Sequence, residues 1–235
     1  MVEKLKLTVK QIHWSLSVKA LAFALGWLFL PFWLFLFLAL GLYLTPLFQS
    51  VQLALPFLVT LFLAGVSETG SIWVAVCLGL VFYLLLGVKD LVLVNRGIAL
   101  RACVYLLLFL GAIRFSAAVA NWEGSGVFLA PVLPALVLFF LLRQLFSFEP
   151  APAPGGIPPA VAAALGALLF WEAAWAAILL PLAPLHQAAM LFISVAVAIE
   201  LLTGSLRQDL KRSAIVTNSL LLLVLYIIIL ITARA

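Results

Sequence analysis

The feature that most limits what this chain can become is the length of its apolar runs. From Ala20 to Leu44 there is no charged residue at all. A helix rises about 1.5 Å per residue, so a hydrocarbon core of about 30 Å takes about 20 apolar residues to cross. Eight stretches approach that requirement: 20–44, 47–65, 71–88, 98–120, 127–146, 160–180, 188–203 and 214–232. Strands of a membrane barrel alternate apolar and polar residues, whereas a run such as ALVLFFLL (135–142) is apolar on every side. The expected fold class is therefore all-α, a polytopic transmembrane helical bundle of seven to eight spans with a short basic amphipathic segment before it.

Composition agrees. The chain is 67% hydrophobic and 9% charged, against about 45–50% and about 25% in ordinary soluble domains. A water-soluble monomer is excluded, and so is disorder, which needs the opposite balance. The net charge of +5 does not point to nucleic acid, because the basic residues are scattered between apolar runs, where they report orientation in a bilayer. The expected partner is the lipid bilayer, with other membrane subunits or a small polar solute or ion as further candidates.

The connections are short. GVSETGS (65–71), NWEGSG (121–126) and PLAPLHQ (181–187) read as tight turns, and the longest linker, FEPAPAPGGIPP (148–159), is proline-rich and semi-rigid. That linker separates 20–147 from 160–235, either as a domain boundary or as a stiff loop within one bundle. Two loops, GVKDLVLVNR (87–96) and GSLRQDLKR (204–212), echo one another weakly, by an internal repeat or by chance. Residues 1–19 hold four lysines, with Leu5, Val9, Ile12 and Leu16 at helical spacing, as in a segment lying on lipid headgroups. The run that follows exceeds the apolar core of a cleaved signal peptide, so the first span is expected to remain.

Short cytoplasmic loops collect lysine and arginine. Lys89, Arg96 and Arg101 flank one connection, Arg143 ends a span, and Arg207, Lys211 and Arg212 fill the last loop, all on the same side by crossing count. Loops 89–97 and 204–213 are therefore expected in the cytoplasm, at the plasma or inner membrane. Three crossings then place the lysine-rich N-terminus on the wrong side. Either the N-terminus is outside, or one early segment does not cross. The suspect is 47–65, where Gln49 and Gln52 precede an apolar run interrupted by Pro56; it is either a re-entrant hairpin held against protein or water, or a full crossing.

Ionisable residues within a span cost about 2.5–3.5 kcal/mol on insertion scales and suggest function. Arg114, Glu172 and Glu200 qualify, at depths of roughly 9, 12 and 18 Å from the side bearing the turns at 121–126 and 181–187. Glu123 and His186 stand at the mouth on that side. Small neighbours, including Gly111, Ala173, Ala176, Ala196 and Gly204, suggest that these faces are the packed ones, and a polar cavity for a solute or ion is expected around them. A fixed structural ion pair is the alternative. His186 with the glutamates matches no local metal-binding spacing, so no metal and no cofactor is expected. Ser125 in EGSG reads as turn chemistry rather than as a nucleophile.

Cys77 and Cys103 differ in depth by roughly 9 Å, too far for a disulfide. Trp14, Trp73 and Trp122 fit an interfacial aromatic belt, and Trp171 and Trp175 flank Glu172. No phosphate loop, GxGxxG, HExxH, CxxC or GxSxG is present. Three readings follow: a non-enzymatic membrane subunit or transport-related protein, an intramembrane enzyme acting on a lipid-linked substrate, and a structural assembly partner without a ligand site.

Overall fold

Proline sets many of the helix boundaries. It lacks the N–H that an interior helical residue must donate and disfavours helical geometry in the residue before it, so it belongs in a first turn. The computed structural model describes residues 14–45, 53–68, 70–90, 95–120, 129–149, 157–207, 210 and 212–233. Among these, helices begin beside or within a turn of Pro31, Pro56, Pro134, Pro159 and Pro184.

Nine helices and no strand are found among the described residues: α1 (Trp14–Phe29), α2 (Phe32–Leu44), α3 (Ala54–Val66), α4 (Ile72–Lys89), α5 (Arg96–Ala120), α6 (Val132–Ser147), α7 (Pro159–Leu179), α8 (Pro184–Leu206) and α9 (Arg212–Thr232). Helices α4, α5, α7, α8 and α9 are long and apolar enough to cross a membrane, and the four others are shorter. This is the make-up of a membrane-embedded helical protein. The chain divides into two compact units, residues 1–107 and 108–235, with the division inside α5. The linker 148–159 lies within the second unit, and its residues 150–156 are outside the described ones.

The first apolar stretch departs from expectation. Pro31 separates two helices, so 20–44 is shared between α1, of 16 residues from Trp14, and α2, of 13 residues, rather than forming a single helix. Residues 14–19, expected to lie apart on the headgroups, already belong to α1; residues 1–13 are outside the described ones. The two helices run antiparallel. Near the turn, Gly26 faces Leu38 and Phe35; at the other end the Lys19 ammonium donates to the Thr45 carbonyl at 2.7 Å.

Helix α3 then runs away from that end and α4 returns to it. Tyr43 stacks on Phe57 near the start of α3, with ring centroids 4.0 Å apart. The Trp27 indole N–H donates to the Ala64 carbonyl near its finish, at 2.9 Å. Pro56, expected to interrupt this stretch, sits in the first turn of α3, where its missing N–H costs nothing. From Ala54 onward the described part of 47–65 is thus continuous helix, within the 13 residues of α3. Gly70 turns the chain toward α4 at φ 106°, a left-handed conformation that glycine adopts without a Cβ penalty. Lys89 then meets the carbonyl of Tyr43. The N-terminal end of α1 and the C-terminal end of α4 therefore share one end of the unit.

Aromatic rings bind these four helices. Phe23 of α1 stacks on Phe82 of α4 at 4.1 Å and meets Phe35 of α2 edge-on at 5.0 Å; Phe82 in turn meets Phe57 of α3 at 6.2 Å. Each such pair contributes about 0.5–1.5 kcal/mol beyond area burial. Gly79 lets α4 approach α1 closely, since a Cβ there would lie 3.1 Å from the Ala24 Cβ.

In the second unit α7 lies between α6 and α8. A Cβ on Gly166 would meet Leu142 of α6 at 2.5 Å and Leu202 of α8 at 3.4 Å. The later part of α5 adds Phe109 against Phe192 and Phe115 against Phe170. Helix α9 packs on α8, aided by a hydrogen bond between Ser194 and Tyr226, and Ile229 is its one buried residue among those described.

The hairpin predicts that cysteines introduced as Trp14→Cys and Thr45→Cys, in a Cys77→Ala, Cys103→Ala background, label from the same side of oriented vesicles. Labelling from opposite sides would restore a single crossing.

Candidate functional site

Polar groups on apolar helices must be satisfied by protein where they are buried. Lys89, expected in a loop and counted for orientation, is instead the last residue of α4 and is 0% exposed. Its ammonium donates to the Tyr43 carbonyl and sits 4.8 Å from the centre of the Tyr43 ring. The last carbonyls of a helix have no partner within it. At the end of α2 the Thr45 hydroxyl donates to Gly41, Lys89 to Tyr43, and Lys19 to Thr45. Two lysines from different helices thus cap the same helix end, a role invisible in sequence because a lysine after an apolar run reads as interfacial.

The five residues expected to form a site are placed differently from one another, all in the second unit. Arg114 is half-buried on α5 and engaged in a contact. Glu172 is exposed on α7 and makes no hydrogen bond or ion pair among the described residues. Glu200 is exposed on α8 beside buried Ile199, with a contact of its own. His186 is half-buried in the first turn of α8, and its Nδ1 is buried without a hydrogen-bond partner among the described residues. Glu123, like Ser125, lies outside the described residues.

Arg114 and Glu172 are not brought together. The α5 segment bearing Arg114 meets α7 through Phe115 and Phe170, whose ring centroids are 6.2 Å apart. Glu172 is two residues from Phe170 and two from Ala174, both buried. At about 100° per residue it points roughly opposite to both. The small residues that pack are therefore Ala163, Gly166, Ala167 and Ala174, while Ala176 is exposed with Glu172.

A polar pair missed in sequence lies where α6 and α8 end. Arg207 donates to Glu149 Oε2 through both Nε, at 2.8 Å, and Nη2, at 2.6 Å. The Glu149 side chain is 4% exposed and that of Arg207 45%. Their spacing of 58 residues gives no local signal.

A shallow apolar groove of about 370 Å³ lies between α1 and α4, edged by Ser17, Ala20, Ala24, Gly79 and Tyr83. Among the described residues no group of three or more His, Cys, Asp or Glu is placed to hold a metal ion. Cys77 and Cys103 are free thiols. Compared with known proteins, the chain matches no family model, no curated protein and no solved structure.

Lys89→Met keeps the stem but removes the donor to Tyr43, so it is expected to cost about 1–3 kcal/mol, read as a lower midpoint of thermal unfolding by tryptophan fluorescence; an unchanged midpoint would remove the capping role. Arg207→Ala is expected to cost about 1–2 kcal/mol, tempered by its exposure. Arg207→Lys should recover only part of that, because lysine cannot reproduce the guanidinium fork.

Proposed function

We propose that this chain is a subunit of a larger membrane assembly, a polytopic helical bundle that works by holding other membrane components, with Arg114, Glu172 and Glu200 as its polar contact points. The observation that carries this reading is Glu172, a carboxylate displayed outward on an apolar helix with no partner among the described residues. A charge in that position is expensive unless something meets it. A small polar solute or ion at Arg114 and Glu200 is the transport-related alternative, supported by their depth and by the half-burial of Arg114.

In this reading the α1–α2 hairpin enters and leaves the membrane on one side, and seven crossings, α3 to α9, follow. Lys19 and Lys89 share an end of the first unit. With Lys19 and Lys89 there, that end is cytoplasmic by the distribution of basic residues. The loops 89–97 and 204–213 then face the cytoplasm of a plasma or inner membrane and the C-terminus the opposite side, which removes the conflict posed by counting 20–44 as one crossing.

Solubilised from its native membrane in a mild detergent, the tagged chain is expected to migrate as a complex well above its own size, and Glu172→Gln to shift it toward the monomer. Monomeric migration, together with pH-driven solute uptake by the pure chain in vesicles, would overturn the subunit reading in favour of transport.

A further inference from the structure

Resting on the subunit reading, we infer that the outward face of α7 docks a transmembrane helix of a partner protein, and that Glu172 anchors it by pairing with a lysine or arginine carried within the partner's span. The inward face of α7 packs on α6, α8 and Phe115. The outward face is apolar: Leu165, Leu168 and Leu169 are exposed on it, and Trp171 is 39% exposed. Glu172 interrupts that surface as a single charge. A water-facing helix would carry polar residues along the whole stripe, and this one does not.

The depth leaves few ways out. Glu172 lies seven residues before Leu179, the end of α7, so its Cα is about 10 Å from the helix terminus. Lysine and arginine can snorkel over such distances along their long stems; glutamate, with two methylenes, cannot. Helix α7 contains no basic residue, and Glu172 finds no ion pair among the described residues. The missing element is a cation at that depth, and a basic residue on a neighbouring helix supplies it.

A second copy of this chain fits less well. A two-fold pairing through this face would set Glu172 against Glu172, placing like charges together. Arg114, the basic residue at similar depth, is half-buried on another helix and already engaged. The exposed indole of Trp171 and the small Ala176 beside Glu172 supply what a docking helix needs, a rigid aromatic anchor and a point of close approach.

The test reconstitutes the full chain in phosphatidylcholine vesicles with synthetic leucine–alanine transmembrane peptides bearing a central lysine, leucine or glutamate, and reads association by energy transfer. The lysine peptide is expected to associate about ten-fold more tightly than the leucine peptide, and the glutamate peptide no better than leucine. Glu172→Gln should erase the lysine preference, while Glu172→Asp retains it. Equal association of the lysine and leucine peptides with the unaltered chain overturns the proposal, as does a preference that survives Glu172→Gln. Glu172-dependent self-association without peptide would also overturn it, giving the face to a second copy. If Glu172→Gln does not fold, the three-peptide comparison on the unaltered chain decides alone. A large native complex with no lysine preference would sink this inference and leave the subunit reading standing.

Discussion

The last carbonyls of a helix have no partner within it, and the first unit is organised around meeting that demand at the end of α2. Three side chains do so, and they come from α1, α4 and the segment just beyond α2 itself. For Lys89 to reach Tyr43, α4 must run antiparallel to α3 and its final turn must come alongside the end of α2. For Lys19 to reach Thr45, α1 and α2 must fold back on one another. The capping of one helix end therefore depends on the path of four helices. Two of its three donors are cations, Lys19 and Lys89, whose hydrogen bonds are roughly twice as strong as neutral ones.

The two units solve helix packing by different means. Lipid is as apolar as leucine, so burying apolar side chains does not by itself drive membrane helices together. The first unit uses rings: Phe35, Phe23, Phe82, Phe57 and Tyr43 follow one another across α1 to α4, and the Lys89 ammonium closes the series on the last ring. Around α7 the second unit uses small residues, with Gly166 and a row of alanines letting leucines from α6 and α8 approach the backbone. The same small seam faces Glu172 outward, because Glu172 lies roughly opposite the buried Phe170 and Ala174 around the helix.

Much of the fold was legible. The positions of α4, α5, α7 and α9 follow from apolar length and from where polar residues and prolines stop it, and the structure moves their ends by at most two residues. Pro31 was equally visible, yet its effect was not. Proline in a membrane helix is tolerated when neighbours satisfy the freed backbone, so the sequence is compatible with a kinked span as well as with a hairpin. The conflict between the N-terminal lysines and Lys89 was legible as well, and the fold-back of α1 on α2 is an arrangement in which it does not arise.

What the sequence determined by itself is the solvent: runs this apolar require a bilayer and helices within it, and they fix the depth of each charged residue along its helix. Depth follows from counting residues, because rise per residue is constant. Only the tertiary structure decided rotation and return: that 20–44 folds back on itself, that Lys89 turns inward to a carbonyl, and that Glu172 turns outward. Those outcomes depend on which side of a helix its neighbours occupy, and the neighbours are set by contacts between residues far apart in the chain, such as Trp27 with Ala64 and Arg207 with Glu149.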